Sequence, residues 1–167
     1  MNEGLLDPFR HNAWATRELL RTCRDLSPEQ LDATATGTFG TIRETLAHVV
    51  RAERFYRSLL DAAPEWGRPD GATPLDVLEE RAGDMAAFWE SFLSRPIDTE
   101  RVVVDENETE TTRVAAGVLI AQVLNHGNEH RGHVCTILTT LGIPPPELDG
   151  WAYGEAVGRA TVEPSSP

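Results

Sequence analysis

"VAAGVLIAQVLNHGNEHRGHVCTILTTLG", Val114 to Gly142, reads as one long helix, and its middle turns hold three of the five histidines in the chain. Apolar residues recur at helical spacing, Gly142 follows the last of them, and "IPPP" then blocks continuation. A helix advances about 100° per residue, so His126 and His130 differ by about 40° and His133 lies about 20° to the other side of His126. Leu119, Val123, Ile137 and Leu141 fall in the same sector. The histidines are therefore expected within the apolar stripe, at its centre along the chain, and away from the solvated face.

The remainder of the chain is patterned in the same way. "DPFRHNAWATRELLRTCRDL" places Phe9, Ala13, Leu19, Leu20 and Cys23 at helical spacing, with Asp7-Pro8 as the expected start. Ser27-Pro28-Glu29-Gln30 reads as a short capped turn. Thr41 with Glu44 three residues later is a capping box opening "TIRETLAHVVRAERFYRSLLDAA", which Pro64 ends. Thr73-Pro74 starts a further helix running to about Ser94. Val102 to Val104 favour a strand and "DENET" a turn, so a hairpin or extended connection is expected there. "ELDGWAYGEAV" suits a short final helix. The expected class is all-α: an antiparallel four-helix bundle forming one domain over residues 1–160, with a flexible tail over 161–167.

Composition excludes several function classes. A chain of 167 residues with 40% hydrophobic and 25% charged residues can bury a real core. Its net charge of -12 would repel a phosphate backbone, so no nucleic-acid partner is expected. No apolar stretch is long enough to span a bilayer, so no membrane association is expected. The N-terminus has no basic region ahead of an apolar run, and Cys23 and Cys135 have no metal or redox spacing. A reducing, cytoplasmic location is expected. All 15 basic residues are arginine, which excludes a lysine Schiff base and a phosphate-loop lysine.

Histidines on consecutive turns of an apolar face pose a chemical problem. Each needs donors and acceptors that a helix face does not supply, either from hydrogen-bonding core neighbours or from a divalent cation. Histidines at i and i+4 are a spacing metal sites use, but a third ligand is then required. His48, in a sector with Ala52, Phe55 and Leu59, is the candidate. Three histidines with an open fourth position would activate a bound water or other ligand. Glu44, one turn before His48, could orient that imidazole or act only in its capping box. Glu53 lies on the apolar arc, as a buried pocket acid or as half of an ion pair with an arginine. His11 falls near the polar side of the first helix and is expected at the surface.

"NHGNEHRGH" resembles the signature of the DinB/YfiT-like metalloprotein superfamily, in which His-x-x-x-His is followed by Arg-Gly and usually Gln. "TIRETLAHVVRAERFY" is similar to that superfamily's second-helix motif, and "HNAWATRELL" to its first-helix pattern with Asn and Trp. Order and spacing agree up to about Tyr153. The resemblance implies an antiparallel four-helix bundle with an unusual connection and a divalent metal, Zn or Ni, held by His48, His126 and His130. His133 stands where the family usually has Gln, as an extra pocket residue or a competing ligand. Related proteins include thiol-dependent S-transferases, isomerases and amidase-like enzymes, and the resemblance also implies a homodimer.

The leading expectation is a metal-dependent enzyme that activates a low-molecular-weight thiol, since a cation deprotonates a bound thiol into a nucleophile. A metallohydrolase using bound water is one alternative. A non-catalytic metal-binding stress-response module is another, favoured if His133 closes the coordination sphere. Arg131 could steady the helix, meet an anionic group, or form a surface salt bridge. Asn12 and Trp14 could line the pocket, with core packing the plainer role for Trp14.

Overall fold

A computed structural model describes residues 3–161. Four long helices dominate: α1 (Glu3–Thr22), α3 (Ile42–Leu60), α4 (Leu75–Leu93) and α5 (Ala116–Thr140), with short α2 (Pro28–Leu31) and α6 (Gly150–Ala156). Strands β1 (Val102–Glu106) and β2 (Thr111–Ala115) pair antiparallel in a two-stranded hairpin between α4 and α5, with Val103 opposite Val114. No helix among the described residues is long and apolar enough to cross a membrane. The expected tail, Thr161 apart, lies outside those residues.

Local signals set most boundaries. The expected capping box forms, Thr41 with Glu44 opening α3, and the expected capped turn at Ser27 is also a capping box, Ser27 with Gln30 opening α2. Gly142, at a φ of 72°, closes α5 while the Ile143 amide donates to the Leu138 carbonyl at 2.9 Å. Three expectations are corrected. The first helix starts at Glu3, ahead of Asp7-Pro8. Pro8 sits so near the start that its missing N–H deprives only the Gly4 carbonyl. Thr73 does not cap α4: its hydroxyl serves the Asp70 turn instead, and α4 starts without a side-chain cap. The fifth helix begins at Ala116, because Val114 and Ala115 are held in the hairpin.

The core divides into two apolar clusters. One gathers Leu19 and Leu20 of α1, Leu46 and Val50 of α3, Leu78 and Ala82 of α4, and Val134, Ile137 and Leu138 of α5. The other gathers Phe9, Leu60, Met85, Trp89, Phe92, Leu119, Ile120 and Val123, with Val103 from the hairpin. Each helix runs from one cluster to the other, and this fixes direction. α1 and α5 run one way and α3 and α4 the other. The close pairs α1–α4 and α3–α5 are antiparallel, whereas α1–α5 and α3–α4 are parallel neighbours. A 19-residue helix such as α3 is about 28 Å long. The connection over 61–74, bends and turn included, is long enough to return along it, which allows α3 and α4 to point the same way.

Between the apolar clusters lies a polar level. Asn12 and Thr16 of α1, Glu53 of α3 and Arg131 of α5 are all buried there. His48, His126 and His130 occupy the same level at its outer margin.

Candidate metal centre

The three expected ligands converge. His48, His126 and His130 each offer a ring nitrogen, all within 4.8 Å of one another. His48 Nε2 and His126 Nε2 are 3.0 Å apart, one donating and the other accepting. Helix α3 brings His48 and α5 brings the other two, because these helices pack antiparallel along their buried faces. Nitrogens about 2.1 Å from a tetrahedral zinc ion sit about 3.4 Å from one another, a value that the cluster's spacings bracket. The donor set is all imidazole, which suits a borderline-soft divalent cation.

The protonation states fit the same use. Burial first, then the neighbouring His126 ring, holds His48 down to about pH 4. Burial and His130 do the same for His126, also to about 4. His130 is lowered by burial and then by His133. All three are neutral at physiological pH, the form in which imidazole ligates.

Their placement differs from expectation in one respect. The centre of the buried face of α5 is taken by Gly127 and Arg131, with Val134 and Ile137 beyond. His126 and His133 are only half-buried, and Leu141 and Phe55 are exposed. Both apolar arcs are narrower than the sequence pattern implies, since each helix covers its neighbour with one side of its stripe. The cluster therefore opens outward. Phe39, from the connection before α3, stacks on His48 with ring centroids 4.2 Å apart and meets the edge of His130 at 5.0 Å. His48 and His126 also face a cavity of about 390 Å³, whose other walls are Arg51, Ala52, Arg54, Phe55, Tyr56 and Arg68.

The remaining candidates separate. His133 stands outside the cluster, with its Nδ1 3.3 Å from Nδ1 of His130. Glu44 does not reach His48; its carboxylate accepts from the Thr41 amide at 2.9 Å, which also lowers its pKa. Glu53 is buried and forms no ion pair among the described residues: its carboxylate accepts from the Trp89 indole N–H at 2.7 Å. Burial pushes its pKa up to about 7, against the Trp89 bond and the charge of Arg131. Arg131, only 4% exposed, makes no surface salt bridge. It donates to Asn12 Oδ1 at 2.8 Å and Thr16 Oγ1 at 3.0 Å. Asn12 is thus committed to Arg131 inside the core and does not line the cavity.

Trp14 and His11 lie on the other side of α1, against Tyr153 of α6. His11 is half-buried, not at the surface as expected, because α6 folds back over α1 and the Leu148 carbonyl sits 2.7 Å from its Nε2. The sequence reading missed Phe39, Arg51, Tyr56 and Arg68. Arg51 and Tyr56 lie close to the His48 sector of α3, a signal that was available; Phe39 and Arg68 sit in connections whose path no periodicity reveals.

The DinB family model matches residues 1–161 of this chain. No curated protein matches it. The chain belongs to the DinB family.

Proposed function

We propose that this DinB-family protein binds a divalent transition metal, Zn or Ni, through His48, His126 and His130, and uses it to activate a low-molecular-weight thiol for transfer to an electrophile. The supporting observation is the shape of the cluster: three neutral imidazoles from two helices, open to a cavity on one side, with His133 held apart. Structural zinc sites are closed by a fourth protein ligand, whereas catalytic ones keep a position free. A bound cation would supply Lewis acidity, keeping a thiol ionised at neutral pH.

The protein's own groups prepare that chemistry. His133 faces Nδ1 of His130, and a proton on that Nδ1, donated to His133, leaves Nε2 of His130 as the ligating atom. Phe39 covers the cluster from outside and limits water. The same reading carries a four-helix bundle forming one domain over 1–160, a cytoplasmic homodimer and a small-molecule partner. Light scattering at micromolar concentration checks the dimer.

Metal analysis of purified protein tests the site. The His126→Ala and His130→Ala variants are expected to lose at least about tenfold in metal affinity, and His133→Ala to retain metal. Retention by the first two with loss in the third would overturn the assignment. Conjugation of several electrophiles, with and without added thiol, tests the reaction. Turnover independent of thiol would favour the metallohydrolase, and none with any electrophile would favour the non-catalytic module.

A further inference from the structure

The chain carries 27 acidic residues against 15 arginines, a net charge of -12. Among the described residues, Arg10, Arg21, Arg24, Arg43, Arg95 and Arg159 are spent in ion pairs with carboxylates. The arginines around the cavity beside His48 and His126 are not among them. Three arginines, Arg51, Arg54 and Arg68, line it, and no carboxylate among the described residues does. Gathering three cations in one concavity without a counter-charge is unfavourable by mutual repulsion, and the field lines of such a pocket attract anions despite the net charge of -12.

The guanidinium groups are available for a ligand. Arg54 uses Nε on the Trp66 carbonyl at 3.1 Å and lies over the Trp66 ring, which fixes the group and leaves its two terminal nitrogens uncommitted among the described residues. Arg68 is exposed, with no hydrogen bond or ion pair among the described residues. Arg51 donates to Nδ1 of His48 at 2.9 Å. That bond requires Nδ1 to be bare. A neutral imidazole ligating through Nε2 carries its proton on Nδ1, so the bond and ligation through Nε2 exclude one another. Ligation by His48 through Nε2 thus releases Arg51 into the cavity.

We propose that this cavity binds the oxyanion group, a carboxylate or a phosphate, of the small molecule that reaches the metal, with Arg51, Arg54 and Arg68 as its recognition residues. Guanidinium forks match the planar oxygens of a carboxylate and two oxygens of a phosphate. Phe55 and Tyr56 supply an aromatic wall for the carbon skeleton, and about 390 Å³ suits a small molecule. The proposal deepens the metal–thiol reading and rests on it for the second contact, because His48 and His126 form one wall of the same cavity.

Calorimetric titration of the zinc-loaded protein with mercaptosuccinate and with 2-mercaptoethanol tests it, with zinc content measured on each sample. Mercaptosuccinate is expected to bind about tenfold tighter or more, the size of one charge-assisted hydrogen bond. The preference is expected to shrink with rising salt. Arg51→Gln and Arg68→Gln should each reduce the preference several-fold and the double variant abolish it, each affinity being expressed per zinc-loaded protein. Equal affinities for the two thiols, or a preference that survives in the double variant, would overturn the proposal. Competition by succinate against competition by inorganic phosphate separates the two oxyanions, and competition by neither also overturns it. If the protein takes up no zinc, the metal reading falls by itself. Succinate and phosphate titrated into metal-free wild type and Arg68→Gln then decide the anion pocket: binding lost in the variant supports it, and no binding by wild type overturns it.

Discussion

His130 and Arg131 are adjacent on α5, yet they belong to two polar clusters with opposite requirements. Arg131 is a donor placed among acceptors: Asn12 and Thr16 take its hydrogen bonds, and Glu53, itself held by Trp89, supplies a carboxyl nearby. That network is complete inside the protein. His130 is placed among groups of its own kind. His48, His126 and His133 offer it only further imidazoles, and burial keeps His48 and His126 neutral rather than paired with acids. A buried polar group is tolerated when its partners are built in. One cluster is satisfied within the protein by partners of another kind, and the other is a group of imidazoles that could hold a metal ion.

Disturbing the closed cluster is expected to have the largest effect on stability. Arg131→Met leaves the buried acceptors on Asn12 and Thr16 without their donor, and each buried polar group left unsatisfied costs roughly 1–3 kcal/mol. Urea denaturation of the metal-free protein measures it. A loss well under 1 kcal/mol would show that the network does not hold the helices together. Gly127→Ala reaches the same network from the backbone. A Cβ there would stand 2.6 Å from Asn12 Oδ1 and 2.8 Å from an Arg131 nitrogen. Both atoms belong to buried, hydrogen-bonded side chains that cannot swing away freely. Overpacking of this kind costs about 1–3 kcal/mol, and an unchanged urea midpoint would show that the layer yields.

The two clusters also differ in how stability responds to pH. Glu53 titrates higher folded, at about 7, than its ordinary 4.5, so the folded state holds the extra proton between those values. Its contribution is full below about pH 4.5 and is lost as pH rises through about 7. His48 and His126 do the reverse, titrating at about 4 instead of 6.5. Their contribution is full above about pH 6.5 and is lost as pH falls through about 4. Each group can change stability by at most about 1.4 kcal/mol per pH unit. In metal-free protein between pH 4.5 and 7, Glu53→Gln is expected to steepen the rise of stability with pH, and His126→Ala to flatten it. Urea midpoints across that range decide the matter; equal slopes in both variants would erase the distinction between the clusters.

The open cluster was far more legible in the sequence than the closed one. Histidines at 126 and 130 share a helix face by spacing alone, and His48 stands on an apolar arc of its own helix, an assignment the family pattern makes independently. Arg131 gave no such signal, since an arginine in a helix is ordinarily a surface residue. Its burial depends on Asn12 and Thr16 arriving from α1 more than a hundred positions earlier, a tertiary fact without local periodicity. Glu53 was visible as an acid on an apolar arc, but its partner proved to be Trp89 rather than an arginine. Helix boundaries followed capping chemistry where a side chain caps, as at Thr41 and Ser27, and departed from it at Pro8 and Thr73. The parallel course of α3 and α4 was out of reach, because it is decided by where the 61–74 connection runs.

Glu44 offers the smallest effect and a clean boundary between the two kinds of role. One turn before His48, it could have steadied that imidazole. Instead its carboxylate accepts from the Thr41 amide, and the Thr41 hydroxyl accepts from the Glu44 amide at 3.2 Å. That places Glu44 in the start of α3 and outside both clusters. Glu44→Ala should therefore cost about 0.5–1 kcal/mol of stability, the usual size of a lost cap. Glu44→Gln should restore most of it, since an amide oxygen can accept the same bond. Zinc affinity should be unchanged in both variants, because neither touches His48 or its Arg51 contact. Residues that orient a ligating histidine typically cost about tenfold or more in affinity when removed. A tenfold loss of zinc binding in Glu44→Ala with stability intact would return this carboxylate to the metal site, and would mean that the helix start rearranges when the ion binds.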